Sequence, residues 1–251
     1  MYKLNLVRQQ PDARDHRLQL LLGSAPVLPQ SVDLRADCPP VFDQGSLGSC
    51  TANAGVAARM MLNDITQMLS RLFLYYKERE LEGTTATDSG ATMRSVCKAL
   101  QRYGVCRESL WPYIPNDFAI PPTPLAEINA MLYRIDTYAT FDSASPAAEL
   151  SQIRTFLATQ RQPVLAGIDV YDSFETTATQ RSGVIPMPDP ATEQLLGGHA
   201  LLFVGYDDVK RQILFRNSWG VQWGDGGYGW LPYDYILAQY AYDFWVLQAA
   251  G

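Results

Sequence analysis

Residues 32–55 read VDLRADCPPVFDQGSLGSCTANAG, and the second half of that stretch governs the rest. The run Gln44-Gly45-Ser46-Leu47-Gly48-Ser49 is turn-rich and lets backbone come close to a bound molecule. Cys50 follows it, and beyond Cys50 come Ala54, Ala57, Met61 and Ile65 at near-helical spacing. Ser49 stands where a helix N-cap is expected. A helix N-terminus, most of all beside an imidazolium, lowers the pKa of a thiol. Cys50 is therefore a candidate nucleophile, set against the plainer reading of a small buried hydrophobe.

Outward from this stretch, residues 72–81 carry Leu72, Tyr75, Tyr76 and Arg79 at helical spacing. Residues 90–104 carry Met93, Val96, Leu100 and Tyr103, with Gly104 as a C-terminal stop. Cys97 lies inside that helix and reads as a packing residue. Residues 111–124, WPYIPNDFAIPPTP, read as a long crossing loop between two halves. The character then changes. Residues 147–160 predict one more helix, and 163–170 (PVLAGIDV) a buried strand. Residues 199–206 (HALLFVGY), the polar turn 207–210 and the return over 212–216 predict a hairpin. Residues 227–233 and 244–248 are further strand candidates. Helices first and strands later predict an α+β protein of two lobes with a site between them. Residues 1–30 differ, with a charged run at 9–17 and an extended APVLP at 25–29. They read as an N-terminal appendage on a body of residues 31–251. That body divides into a mainly helical lobe, 31–122, and a mainly β lobe, 123–251.

Composition narrows the function. The chain has 251 residues and a net charge of −6, with no basic run, which argues against sequence-independent nucleic-acid binding. Four cysteines without a C-x-x-C pair, and only two histidines, argue against a disulfide scaffold and against a zinc site of the usual spacing. No apolar stretch near the start is long enough to span a bilayer. The first residues, MYKLNLVRQQPDARDH, have no signal-type apolar core, so a cytoplasmic protein, or one exported by a non-Sec route, is expected. His16 sits in the charged segment and reads as solvated. His199 follows Gly197-Gly198 and opens an apolar strand; it is either a structural histidine or a general base.

Four segments together carry a resemblance. Residues 32–55 around Cys50, residues 197–208 (GGHALLFVGYDD) around His199, and residues 216–230 (RNSWGVQWGDGGYGW) around Asn217 resemble the catalytic segments of papain-like cysteine proteases. Residues 90–105, followed by Trp111-Pro112-Tyr113, are similar to that family's helix and substrate wall. The similarity runs over about 32–233 in the family's order, and His199 lies 149 residues after Cys50. Short bacterial members are the nearest in flavour. The resemblance implies a papain-like two-lobed α+β fold, with a helical left lobe holding a central nucleophile helix and an antiparallel, barrel-like right lobe.

It also implies roles. Cys50 would be the thiolate nucleophile, and His199 its ion-pair partner and acid/base. Asn217 would orient the imidazole, and Gln44 would donate to the oxyanion. Trp219 would shield the His–Asn hydrogen bond. Gly90 would lie on the wall that pairs with substrate backbone, and Gly167, Gly197, Gly198 and Ala200 near a roomy pocket for a bulky apolar side chain. Three departures stand out. Leu47 replaces half of a common disulfide. Thr51 replaces an aromatic and is expected to open space behind the nucleophile. Gly198 replaces a polar residue before the histidine. Cys38, Cys97 and Cys106 could pair or stay reduced.

The implied activity is endopeptidase hydrolysis through a Cys50 acyl-enzyme, with no cofactor or metal. Peptide or protein is the expected substrate, and a monomer without nucleic-acid or membrane partners is expected. Residues 1–30 would be a short inhibitory strap through the cleft, or the first strand of the mature body. The alternatives are an acyl or amide transferase using the same site, and a catalytically silent binding protein.

Overall fold

The structure, a computed structural model, describes residues 2–18, 27–141 and 143–248. Of the linker expected at 25–29, residues 25 and 26 lie outside them.

Three helices build the first lobe: α1 (Cys50–Leu62), α2 (Arg71–Glu82) and α3 (Met93–Arg102). Helix α1 is buried on nearly every side, as its run of Ala and Gly allows. A β-carbon on Gly55 would come within 2.4 Å of Val96 on α3, so only glycine permits this approach. Ser70 and Thr92 cap α2 and α3 by accepting from Phe73 N–H and Ser95 N–H. Ser49 does not cap α1 in this way. Its hydroxyl instead donates to Tyr113 Oη at 2.5 Å, and Tyr113 donates onward to the Gln44 carbonyl at 2.9 Å. The expected cap thus ties the crossing loop to the nucleophile turn.

Among the described residues, eight strands form one sheet: β1 (Arg17–Leu18), β2 (Ser31–Asp33), β3 (Thr137–Phe141), β4 (Val164–Tyr171), β5 (Leu195–Asp207), β6 (Gln212–Arg216), β7 (Tyr228–Pro232) and β8 (Ala241–Gln248). Their order is β1-β3-β8-β4-β5-β6-β7, and β2 pairs with β5. All pairings are antiparallel except β1 with β3. The register sets Gly167 opposite Ala200, Ile168 opposite His199 and Asp169 opposite Gly198. Four more α-helices lie among the described residues: α4 (Pro124–Ala130), α5 (Pro146–Thr159), α6 (Thr177–Ser182) and α7 (Tyr233–Leu237). No helix among the described residues is long and apolar enough to cross a membrane.

The structure corrects several local expectations. Strand β5 begins four residues before His199, so this histidine lies inside a strand rather than at its opening. Helix α4 starts within the stretch read as loop. Its signals were local, with Thr123 accepting from Ala126 N–H and Pro124 at the first helical turn. Helices α6 and α7 and strand β3 lie in stretches that gave no periodic pattern long enough to read. All four cysteines are free thiols, so Cys38, Cys97 and Cys106 do not pair.

Candidate active site

Cys50 is the first residue of α1, His199 lies in β5, and Asn217 follows β6. All three are buried. His199 Nε2 is 2.8 Å from Asn217 Oδ1. The Ser218 N–H donates to the same Oδ1 at 2.8 Å, which identifies that atom as the acceptor. The imidazole proton of that bond therefore sits on Nε2. In the neutral ring the lone pair is left on Nδ1, which is buried and has no protein partner. The Trp219 ring lies 4.9 Å from the imidazole and is itself buried, so it keeps water from the His–Asn bond.

Gln44 is keyed to the same turn. Its N–H donates to Ser218 O at 2.9 Å, and its Oε1 accepts from Ser218 Oγ at 2.7 Å. Its Nε2 donates to Leu47 O at 3.1 Å and to the Lys3 carbonyl at 3.3 Å. A fully buried amide donor is thus held toward a peptide carbonyl in the cleft.

That carbonyl belongs to the N-terminal segment, which crosses the site. Tyr2 stacks on Trp219 with ring centroids 4.8 Å apart. Leu6 N–H donates to Gly198 O at 3.0 Å, and Val7 N–H to Ala91 O at 3.2 Å, so the segment bonds to both walls. A β-carbon at Gly90 would fall 1.8 Å from the Asn5 carbonyl oxygen, and one at Gly198 2.6 Å from the Leu6 carbonyl oxygen. These glycines let a peptide backbone lie against each wall. The Leu6 side chain is buried and faces the site of a Gly167 β-carbon beside Tyr242. Ala200, opposite Gly167 on the neighbouring strand, is buried as well. Farther along, Arg94 on α3 grips Asp15 through Nε and a terminal nitrogen at 2.8 and 2.6 Å.

Burial dominates the electrostatics. It pushes the Cys50 thiol up to about 12, partly offset by a backbone hydrogen bond at Ala200. It brings His199 down to about 4, opposed by the bond to Asn217. Both directions favour neutral partners, so in this closed state the pair is thiol and imidazole rather than the expected ion pair.

Two departures from the family pattern find their explanation here. Leu47 cannot form a disulfide, but the next residue is tethered differently. Gly48 N–H donates to Asp88 Oδ1 at 3.0 Å, and the Tyr75 hydroxyl donates to the same oxygen at 2.5 Å. A carboxylate thus links the nucleophile turn to the opposite wall. Thr51 does not open space. Its hydroxyl donates to the buried Glu78 carboxyl at 2.6 Å, which fills the room behind the nucleophile. Burial raises the Glu78 carboxyl well above the usual carboxyl range, which favours its neutral form. Sequence reasoning missed Asp88, Glu78, Ser218 and Tyr242. Glu78 had one signal: it stands one helical turn from Leu74 and Tyr75 on the apolar side of α2.

Beside Tyr2 and Trp219 lies an open cavity of about 460 Å³, also lined by Glu175, Gln180, Gln222 and Trp223.

The chain matches the family model described as papain family cysteine protease over residues 28–237. An uncharacterised peptidase C1-like protein of Acanthamoeba polyphaga mimivirus is 37 % identical over 216 residues, covering 82 % of this chain and 69 % of that protein. Among solved structures, xylellain, a cysteine protease from Xylella fastidiosa, superposes with a TM-score of 0.87 at 35 % identity, covering 99 % of this chain and 96 % of that one. Procathepsin L2 from Tenebrio molitor shares the fold, with a TM-score of 0.76 at 21 % identity over 98 % of this chain and 78 % of that one.

Proposed function

The chain belongs to the papain family of cysteine proteases and is a cysteine peptidase, and from that premise we propose the roles of its residues and a latent state of the full chain. Cys50 is the nucleophile. Its proton passes to His199 Nδ1, the nitrogen whose lone pair the Asn217 bond leaves free. The sulfur then attacks the scissile carbonyl, whose oxygen takes hydrogen bonds from Gln44 Nε2 and the Cys50 N–H. His199 Nδ1–H next protonates the leaving amine, and a thioester remains on Cys50. Water, deprotonated by the same nitrogen, attacks the thioester and regenerates the thiol. Asn217 holds the tautomer and ring plane throughout. Trp219 keeps that bond dry.

The single observation that supports this reading best is the Gln44 amide donating to the Lys3 carbonyl, beside a histidine tautomer set by Asn217. The closed cleft already holds a peptide carbonyl at an oxyanion donor. The same observation supports latency. Residues 2–8 fill both walls, and their burial of the site favours the neutral thiol and imidazole. Displacing the segment rehydrates both groups and makes the reactive ion pair accessible.

The test is modification by an epoxysuccinyl active-site probe, followed by intact mass. One adduct is expected, absent from Cys50→Ala. An adduct that persists in Cys50→Ala, or none under any condition that displaces the segment, refutes the assignment.

A further inference from the structure

The two oxyanion donors assigned above stand at the ends of one turn. Gln44 carries the side-chain donor, and the Cys50 N–H is the backbone donor. Between them run Gly45, Ser46, Leu47, Gly48 and Ser49, and the two glycines leave that backbone soft. An oxyanion receives both bonds only while the ends of the turn keep one separation.

Tyr113 spans those ends. Its hydroxyl donates to the Gln44 carbonyl at 2.9 Å and accepts from Ser49 Oγ at 2.5 Å. The direction of this chain is fixed, because a carbonyl oxygen can only accept. Asn53 Nδ2, one turn along α1, donates to Ser49 O at 2.8 Å and to Ser49 Oγ at 3.1 Å. Burial raises the Tyr113 hydroxyl above its ordinary value, which keeps the bridging proton in place. Tyr113 is itself held from outside the turn. Its N–H donates to Glu108 Oε1 at 2.7 Å, and the Arg71 guanidinium lies 3.9 Å from its ring centroid. Arg71 Nη1 donates onward to the Asp43 carbonyl at 3.0 Å and to Asn53 Oδ1 at 3.3 Å, on either side of the turn. Ser218 also holds Gln44, from beyond β6, but it does not reach Ser49. Among the described residues, no hydrogen bond joins Tyr113 to residues 2–8.

We propose that Tyr113 is a positioning residue for the hydrolysis, whose hydroxyl staples Gln44 to Ser49 and thereby sets the separation of the two oxyanion donors. The inference rests on the assignment of Gln44 and Cys50 above. Removing the hydroxyl leaves residues 44 and 49 without a common partner, and the soft turn between them is free to change its span. The staple itself bonds to neither the Cys50 sulfur nor His199. Its loss therefore falls on the step in which charge develops on the carbonyl oxygen, and spares the making of the thiolate.

The experiment uses the full chain and two reagents built on the same peptide. One is a fluorogenic peptide amide, whose hydrolysis passes through an oxyanion. The other is that peptide bearing an iodoacetamide, which alkylates Cys50 by displacing iodide from a saturated carbon and forms no oxyanion. Both must displace residues 2–8, so latency cancels from the ratio of kcat/KM to the alkylation rate. In Tyr113→Phe that ratio is expected to fall about 10-fold or more, through kcat, with KM and alkylation within about twofold of the native chain. In a Gln44→Ala background the same substitution is expected to change kcat by less than about threefold, because a single donor has no separation to keep. Ser49→Ala removes the other arm of the staple and is expected to give the same pattern. An unchanged ratio in Tyr113→Phe overturns the inference and leaves the assignment of Cys50 and Gln44 standing. So does a rise in KM alone, or a fall in kcat that persists in full in Gln44→Ala. Should Tyr113→Phe fail to fold, an unchanged ratio in Ser49→Ala overturns the inference in its place. Neither hydrolysis nor a Cys50 adduct on the native chain overturns the assignment of Cys50, and the inference with it.

Discussion

Leu6→Ala is the sharpest probe of the closed cleft. Leu6 is only 7 % exposed, and its Cδ2 lies 2.7 Å from where a Gly167 β-carbon would stand, beside Tyr242. Replacing leucine by alanine removes three buried carbons. At about 0.8 kcal/mol for each, the closed state loses about 2.4 kcal/mol. The wall is backbone and a fixed ring, so it does not collapse to refill the space. The backbone bond from Leu6 N–H to Gly198 O survives the substitution. The equilibrium for opening therefore rises about 60-fold. If probes reach Cys50 only through the open state, the second-order rate of its modification rises by the same factor. The assay is the probe rate by intact mass, with the thermal midpoint monitored to show that the body is unchanged. A rate within about threefold of the native chain refutes the reasoning, because a side chain so buried would then not hold the segment in place.

Removing the orienting acceptor with Asn217→Ala is expected to lower kcat/KM about 100-fold or more, read with a fluorogenic peptide; a fall under threefold refutes its role. Gln44→Ala is expected to lower kcat about 10²- to 10³-fold, with KM much less affected; a change in KM alone refutes oxyanion stabilisation. Burial raises the folded Glu78 carboxyl above its ordinary value of 4.5, so its contribution to stability is fully present below that value and is lost as pH rises through the folded one. Glu78→Gln removes this loss, so its gain in thermal midpoint over the native chain is larger at pH 8 than at pH 4.5; equal gains at both refute the assignment of a neutral acid. The four thiols are free, so a reductant is expected to leave the thermal midpoint unchanged, and a fall of several degrees on reduction refutes that state.

Cys50, His199, Asn217 and Gln44 could be proposed from the sequence because each sits in a local motif whose neighbours are close along the chain, and the structure sets His199 against Asn217 and Gln44 against Ser218. The helices α1 to α3 could be read for the same reason, since burial repeats at helical spacing within each. What escaped reading depends on partners far apart. Asp88 is bound by Gly48, 40 residues away along the chain, and by Lys3, 85 residues away. Thr51 looked like missing bulk until Glu78, from the next helix, filled the gap. Helix α4 turns Leu125 and Ile128 outward, so it lacks the inward apolar stripe by which a helix is found. The neutral state of Cys50 and His199 follows from burial, which no motif encodes.

The segment that fills the cleft is anchored downstream as well. Gln9 N–H donates to Asp243, Arg94 holds Asp15, and Arg17–Leu18 pairs with β3. Residues 2–8 are therefore a plug on a short leash. A leashed plug sees its own socket at an effective concentration on the order of millimolar. One cut between the plug and its anchors turns the same contacts into an encounter between separate molecules. At micromolar protein the drive to reoccupy the socket then falls about a thousandfold, with no contact altered. If the plug is what holds the enzyme latent, as proposed, a single scission in the leash unlocks it by dilution, and only concentrating the released peptide locks it again.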